Sequence, residues 1–221
     1  MVNYKLKNCL PGIFVVVVED SYERAMLFLR CQEFYESPFP EFRGQNFDLF
    51  RYMDVYRRNN GRGFFSYPSD WMGYNIPGHI AEECINRVLE ANSDIFPTPY
   101  DYTMKSIIDC VKGQLHGQEK WYLIGVNEET GNIMNHEISH GLFYSNPEYK
   151  QRAQTLVRSL PSPIFDSLKK IILSLGYVED VIEDEIQAYL STGLTEEMNS
   201  IPEIRNSVEI FEKNFATFCT K

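Results

Sequence analysis

Two histidines one helical turn apart constrain this chain more than any other feature. His136-Glu137-Ile138-Ser139-His140 reads H-E-x-x-H. Residues four apart lie on one face of a helix, so both imidazoles reach a single metal ion only if the segment is helical. Glu137 then stands beside the first ligand, close enough to take a proton from a water at the metal. Two His ligands and a carboxylate base at this spacing point to zinc-assisted hydrolysis. The chain has four histidines, and two of them fall in this motif. A surface helix with unligated histidines stays open as an alternative. A structural zinc site would favour four Cys or His ligands, and no clustered cysteines lie nearby.

The flanking sequence supplies the helix. Residues 121–126 (WYLIGV) are apolar, aromatic and β-rich, and read as a strand. Residues 127–132 read as a turn, with Thr130 as a candidate N-cap. From Ile133 to Tyr144 there is no proline. One face carries Ile133, His136, His140 and Phe143; the other carries Met134, Ile138, Gly141, Leu142 and Ser145. Few positions are left for solvent, so the pattern predicts a buried helix that Asn146-Pro147 ends. A strand followed by a buried H-E-x-x-H helix resembles the zincin metallopeptidases, over about residues 121–190.

A catalytic zinc takes three protein ligands and keeps one open position. No histidine follows His140, so the metzincin pattern is absent. His79, His116 and Cys110 lie upstream and stay open as third ligands; Asp109-Cys110-Val111 does not match the cysteine motif of peptide deformylases. Downstream, residues 179–197 hold seven acids and no Lys or Arg. Helical spacing separates them. Val178, Ile182 and Tyr189 form an apolar stripe, and Glu185 falls inside it, where a carboxylate is costly unless paired or metal-bound. Glu179 and Asp180 look outward, Asp184 points away from the stripe, and Glu183 is a weaker candidate. A Glu185 paired with an Arg or a backbone donor would show the same pattern.

It is the resemblance that directs the search for a third ligand to this downstream run, and spacing only chooses within it. Gluzincins take their third ligand from a Glu on a later helix, and Glu185-Ile186-Gln187-Ala188 resembles their E-x-x-A. It further implies zinc on His136, His140 and Glu185, with Glu137 as general base. It implies Tyr144 or Tyr189, or less directly His116 or His79, as a donor to the oxygen that gains charge. It also implies that the strand at 121–126 is a sheet edge that pairs with an extended substrate.

Composition bounds the rest. At 221 residues the chain can bury a real core. Its net charge of −10 argues against nucleic acid or an anionic membrane as main partner. Arg51, Arg57, Arg58 and Arg62 read as a solvated face despite their aromatic neighbours. The aromatic region from residue 34 to 74 reads as core. Five scattered cysteines without a C-x-x-C point to free thiols in a reducing, cytoplasmic setting. Residues 13–18 read as a buried strand rather than part of a secretory segment, since Pro11-Gly12 interrupts the apolar run.

The remaining pattern predicts helices over 21–34 (capped by Ser21), 47–58, 79–91, 103–115, 146–160, 162–175, 179–190 and from 200 onward. A short strand is expected at 64–67, a loop at 68–78 and a linker at 97–99. The expected fold is α+β and zincin-like, with mixed strands and helices in the N-terminal half and a mainly helical C-terminal half. Residues 1–115 would supply most of the substrate pocket and 116–221 the metal site, or the whole would be one continuous domain. The expected function is a zinc metallopeptidase acting on a peptide or protein. The alternative is a zinc-binding interaction or regulatory protein with little peptidase activity, against which the intact Glu137 argues.

Overall fold

The run Ile13-Phe14-Val15-Val16-Val17 offers apolar side chains to both faces, so a strand made of it has to lie inside a sheet covered on both sides. The computed structural model, which describes residues 2–90 and 95–219, places it there. Strand β2 (Ile13–Val17) is buried throughout. It pairs antiparallel with β1 (Lys5–Leu10) and parallel with β4 (Tyr122–Val126), and β3 (Tyr74–Pro77) adds to β4 antiparallel. The order is β1-β2-β4-β3. Strand β1 carried no readable apolar pattern. Its exposed Lys5 and Lys7 suit an edge, where lysine discourages pairing with another chain. The Pro11-Gly12 break is the hairpin turn, and Gly12 takes a φ of 76° there.

One expectation is overturned here. Strand β4 is hydrogen-bonded on both sides, to β2 and to β3. It is an interior strand and has no free edge for an extended substrate. Its Gly125 is where the ring of Phe28 lies against the sheet: a Cβ there would meet the ring at 2.5 Å.

Five helices accompany the sheet: α1 (Ser21–Glu36), α2 (Leu49–Asn59), α3 (Tyr67–Asp70), α4 (Gly78–Leu89) and α5 (Pro99–Lys112). Asp20, not Ser21, caps α1 by accepting from the Glu23 amide at 2.8 Å. Helix α5 starts earlier than expected because Thr98 and Asp101 form a capping box over the segment taken for a linker. The strand expected at 64–67 is absent. Pro68 opens the short α3 instead, and Tyr74 and Ile76 alternate inward to make β3 in the expected loop. Ala91, the expected end of α4, lies outside the described residues. The aromatic region is core: Phe42, Phe47, Tyr52, Tyr67 and Tyr74 are buried in ring-to-ring contact. Of the basic cluster, Arg57 and Arg58 pair with Asp54 and Arg62 with Asp70.

From Thr130 onward the described chain is helical: α6 (Asn132–Ser145), α7 (Pro147–Arg158), α8 (Ser162–Ser174), a 3-10 turn (Glu179–Val181), α9 (Ile182–Thr192), α10 (Glu196–Asn199) and α11 (Ile204–Cys219). Asn146 caps α7 as its sequence predicts. Gly131 stands at the N-cap of α6 in place of Thr130. Helix α9 packs against α6, α7, α8 and α11. Its Ile182, Ile186 and Leu190 join Val157, Leu168, Ile172, Met198 and Phe211 in one core.

The chain thus forms two compact units, Met1–Glu129 with the sheet and Thr130–Lys221 with the later helices, a mixed α+β organisation. The boundary falls later than the expected 115/116 because β4 belongs with the sheet it pairs into. Among the described residues no helix is long and apolar enough to cross a membrane.

The first unit is pinned by a buried ion pair. Arg30 on α1 donates to both oxygens of Asp101 on α5, at 2.7 and 3.1 Å, and to the Phe47 carbonyl. Asp101 also takes the Thr98 amide and hydroxyl. Asp101→Ala leaves a buried guanidinium without its counter-charge, a loss of about 3–5 kcal/mol. The expected result is a clearly lower urea midpoint; an unchanged midpoint would show that this pair does not hold α1 to α5.

Candidate metal centre

Helix α6 carries its two histidines on one face, and α9 lies along it. Ile182, Ile186 and Leu190 of α9 enter the helical core, which turns Glu185 inward at the same level; Val178, expected in that stripe, is instead exposed ahead of the helix, because the 3-10 turn separates it from α9. The His136 and His140 Nε2 atoms are 3.2 Å apart. The Glu185 carboxylate stands 3.8 Å from His136 Nε2 and 3.6 Å from His140 Nε2. His140 and Glu185 are buried and His136 is half-buried. A tetrahedral centre with bonds near 2.0–2.1 Å sets neighbouring donor atoms about 3.4 Å apart. The three side chains therefore form a group that could hold a metal ion, with donors of the right type and spacing. It is the arrangement anticipated from the motif and the apolar stripe.

Hydrogen bonds decide which imidazole nitrogen faces this centre. His140 Nδ1 lies 2.9 Å from Asp184 Oδ1. A carboxylate accepts, so Nδ1 carries hydrogen, and in the neutral ring Nε2 is left with its lone pair. The Thr192 hydroxyl gives its hydrogen to the Ala188 carbonyl at 2.7 Å. Towards His136 Nδ1, 3.4 Å away, that oxygen can only accept. Both rings thus direct Nε2 inward.

The electrostatics agree. Burial, then the charge of His140, hold His136 down to about 3, so its ring is neutral. Burial also opposes charge on His140, but Asp184 and Glu185 outweigh it and raise this ring well above its ordinary value. A positive charge is therefore favoured between the two rings and the carboxylate. A cation bound there would meet that preference.

Glu137 is buried on the same helix, and its charge is felt by His140, Tyr177 and Tyr189. The Tyr189 ring stands 4.8 Å from that of His136, centre to centre. Burial and then Glu185 push the Tyr177 hydroxyl up, and burial pushes the Tyr189 hydroxyl up as well, so both keep their hydrogens. Tyr144 is placed by helix geometry alone, half-buried two turns beyond His136.

Among the described residues this is the only group of three or more His, Cys, Asp or Glu whose ligand atoms converge so closely. His79, His116 and Cys110 are not in it. Glu183 faces elsewhere, bonded to Arg158 at 3.0 Å and to Gln154 at 2.8 Å. Asp184 corrects the sequence reading. Burial along a stripe was the criterion used, and it passes over a residue that serves the outer edge of a ring while partly exposed. The readable signal was a different one: a metal-bound His needs an acceptor for its other nitrogen, and an Asp adjoins the ligand Glu. Tyr177 and Thr192 had no signal short of the fold.

Competition against a chromophoric chelator measures what each acid contributes. Glu185→Ala should give the largest loss of metal affinity, Asp184→Ala about 10–100-fold, and Glu183→Ala none. Wild-type affinity in Glu185→Ala would remove it from the ligand set.

No family model matches this chain, and neither a curated protein nor a solved structure does, so the site is read from its own geometry.

Proposed function

We propose that the chain is a zinc-dependent hydrolase that cleaves a peptide bond, with His136, His140 and Glu185 as metal ligands and Glu137 as general base. The observation that carries this reading is the convergence of two Nε2 atoms and a carboxylate with a buried glutamate on the adjoining helix position. Two nitrogens and one oxygen at tetrahedral spacing favour zinc among the common divalent ions. The resemblance of 136–140 and 185–188 to gluzincins supports it. The interior position of β4 means that this part of the zincin pattern, substrate added at a sheet edge, is not carried over. Five free cysteines fit a reducing, cytoplasmic compartment.

Zinc bound at this centre would supply a Lewis acid for the scissile carbonyl and a lowered pKa for water. The residues of the chain do the rest. Glu137 accepts a proton from water and hands it to the leaving amine. His140 is held in place through Nδ1 by Asp184. Tyr189, its ring against His136 and its hydroxyl kept protonated by burial, donates to the carbonyl oxygen as charge builds on it. Tyr144 is the second candidate for that donation.

Two measurements test the proposal. Purified protein should contain close to one zinc per chain, and His136→Ala and His140→Ala should lose it. Full zinc content in both variants would refute the site. On peptides found by mass-spectrometric screening of a cleavage library, Glu137→Gln should keep zinc and lose about 10²–10⁴-fold in rate, the usual contribution of a general base. Unchanged turnover would show that Glu137 is not the base. A zinc-replete wild type that cleaves no peptide would favour the interaction protein.

A further inference from the structure

A chain of buried polar groups lies behind the metal centre, and the mechanism above does not use it. Gln187, Tyr149 and Ser139 are all fully buried. The Tyr149 hydroxyl is 2.6 Å from Gln187 Oε1. Gln187 Nε2 is 2.9 Å from Asp184 Oδ1, the oxygen that also takes His140 Nδ1, and 3.4 Å from Ser139 Oγ. Ser139 gives its own hydrogen to the His136 carbonyl at 2.7 Å.

The hydrogens in this chain can run in one direction only. A carboxylate accepts, so the amide must turn its NH2 towards Asp184. Ser139 has spent its hydrogen, so it too accepts from that NH2. The amide oxygen is then left facing Tyr149, which must donate. Reversing the amide would set its oxygen against Asp184 and against the Ser139 lone pairs at once. Tyr149 is itself held in place, since its ring is fully buried and packs edge-on to Phe218 at 5.2 Å.

We propose that Gln187, oriented by Tyr149, is a positioning residue for the metal centre: it fixes the acceptor face of Asp184, so that His140 presents Nε2 to the ion. The inference rests on the metal-hydrolase reading and deepens it. Asp184 is partly exposed, and without a buried donor its side chain has other rotamers open to it. Each such rotamer lets the His140 ring turn or change tautomer, which removes the Nε2 lone pair from the centre. Gln187 blocks this by occupying the same carboxylate oxygen from inside the core. Through Ser139 it also reaches the turn of α6 that carries His136.

The test uses Gln187→Met, which keeps the length of the side chain and donates nothing. Zinc affinity should fall about 10-fold. In the zinc-loaded wild type the ring ¹⁵N shifts of His140 should report hydrogen on Nδ1 and the ion on Nε2, and in the zinc-loaded variant they should move away from that single pattern. The loss should vanish in an Asp184→Ala background, because Gln187 acts through that carboxylate. Tyr149→Phe serves if the first variant folds poorly. It removes one hydroxyl, keeps the ring against Phe218, and should weaken zinc roughly 2–10-fold, the range of one hydrogen bond.

A variant of lowered thermal stability with unchanged zinc affinity and unchanged His140 shifts overturns the proposal, since the network would then only hold helices together. An undiminished loss in the Asp184→Ala background overturns it too. A wild type that binds no zinc overturns this inference and the proposed function together. Tight zinc binding lost in His140→Ala but untouched in Gln187→Met overturns this inference alone.

Discussion

The three side chains that could hold a metal ion, and the acids around them, sit where α6 packs on α9, and the second unit depends on how that contact is satisfied. Imidazole and carboxylate groups are costly to remove from water unless they are bonded. Here the bonds run across the contact and on into α7: His140 on Asp184, Asp184 on Gln187, Gln187 on Tyr149 of α7, and His136 on Thr192. A set of polar groups so connected specifies one register between the helices. A shift by one residue along α9 would leave several of them buried without bonds.

The same contact shows how an apolar pattern can position chemistry. Ile182, Ile186 and Leu190 are core residues with no chemical role. They fix the rotation of α9, and that rotation places Glu185 on the metal face, Asp184 at the outer edge of His140 and Glu183 on the side of Arg158. Three consecutive acids thus acquire three separate roles from one helical period of 3.6 residues. Ala188 is fully buried in the same helix, and its carbonyl takes the Thr192 hydrogen that sets the His136 tautomer.

The first unit solves a different problem. Its sheet is buried at β2 and β4, and its aromatic residues stack as core. Density of Phe and Tyr says how much surface must be covered, and the rings in contact around Tyr52 and Tyr67 cover it. Two bonded sets carry polar atoms into that core, Tyr67 on Glu33 at 2.8 Å and Arg30 on Asp101.

What the sequence determined by itself were the features with a period or a cap. H-E-x-x-H required a helix and two ligands on one face. Helical spacing around Ile182 and Tyr189 singled out Glu185 among seven acids, although Val178, counted in the same stripe, is exposed. The run at 13–17 required an interior strand, and Asn146-Pro147 required a helix start. Tertiary structure decided the features that depend on neighbours. Whether residues 121–126 form an edge or an interior strand turns on what pairs beside them, and β1 and β3 were too polar or too short to announce themselves. Asp184, Tyr177, Thr192 and the Gln187–Tyr149 pair depend on side chains brought together across 38 to 56 positions or within one folded turn. Local propensity carries no record of such contacts, because each of these residues alone is ordinary where it stands in the chain.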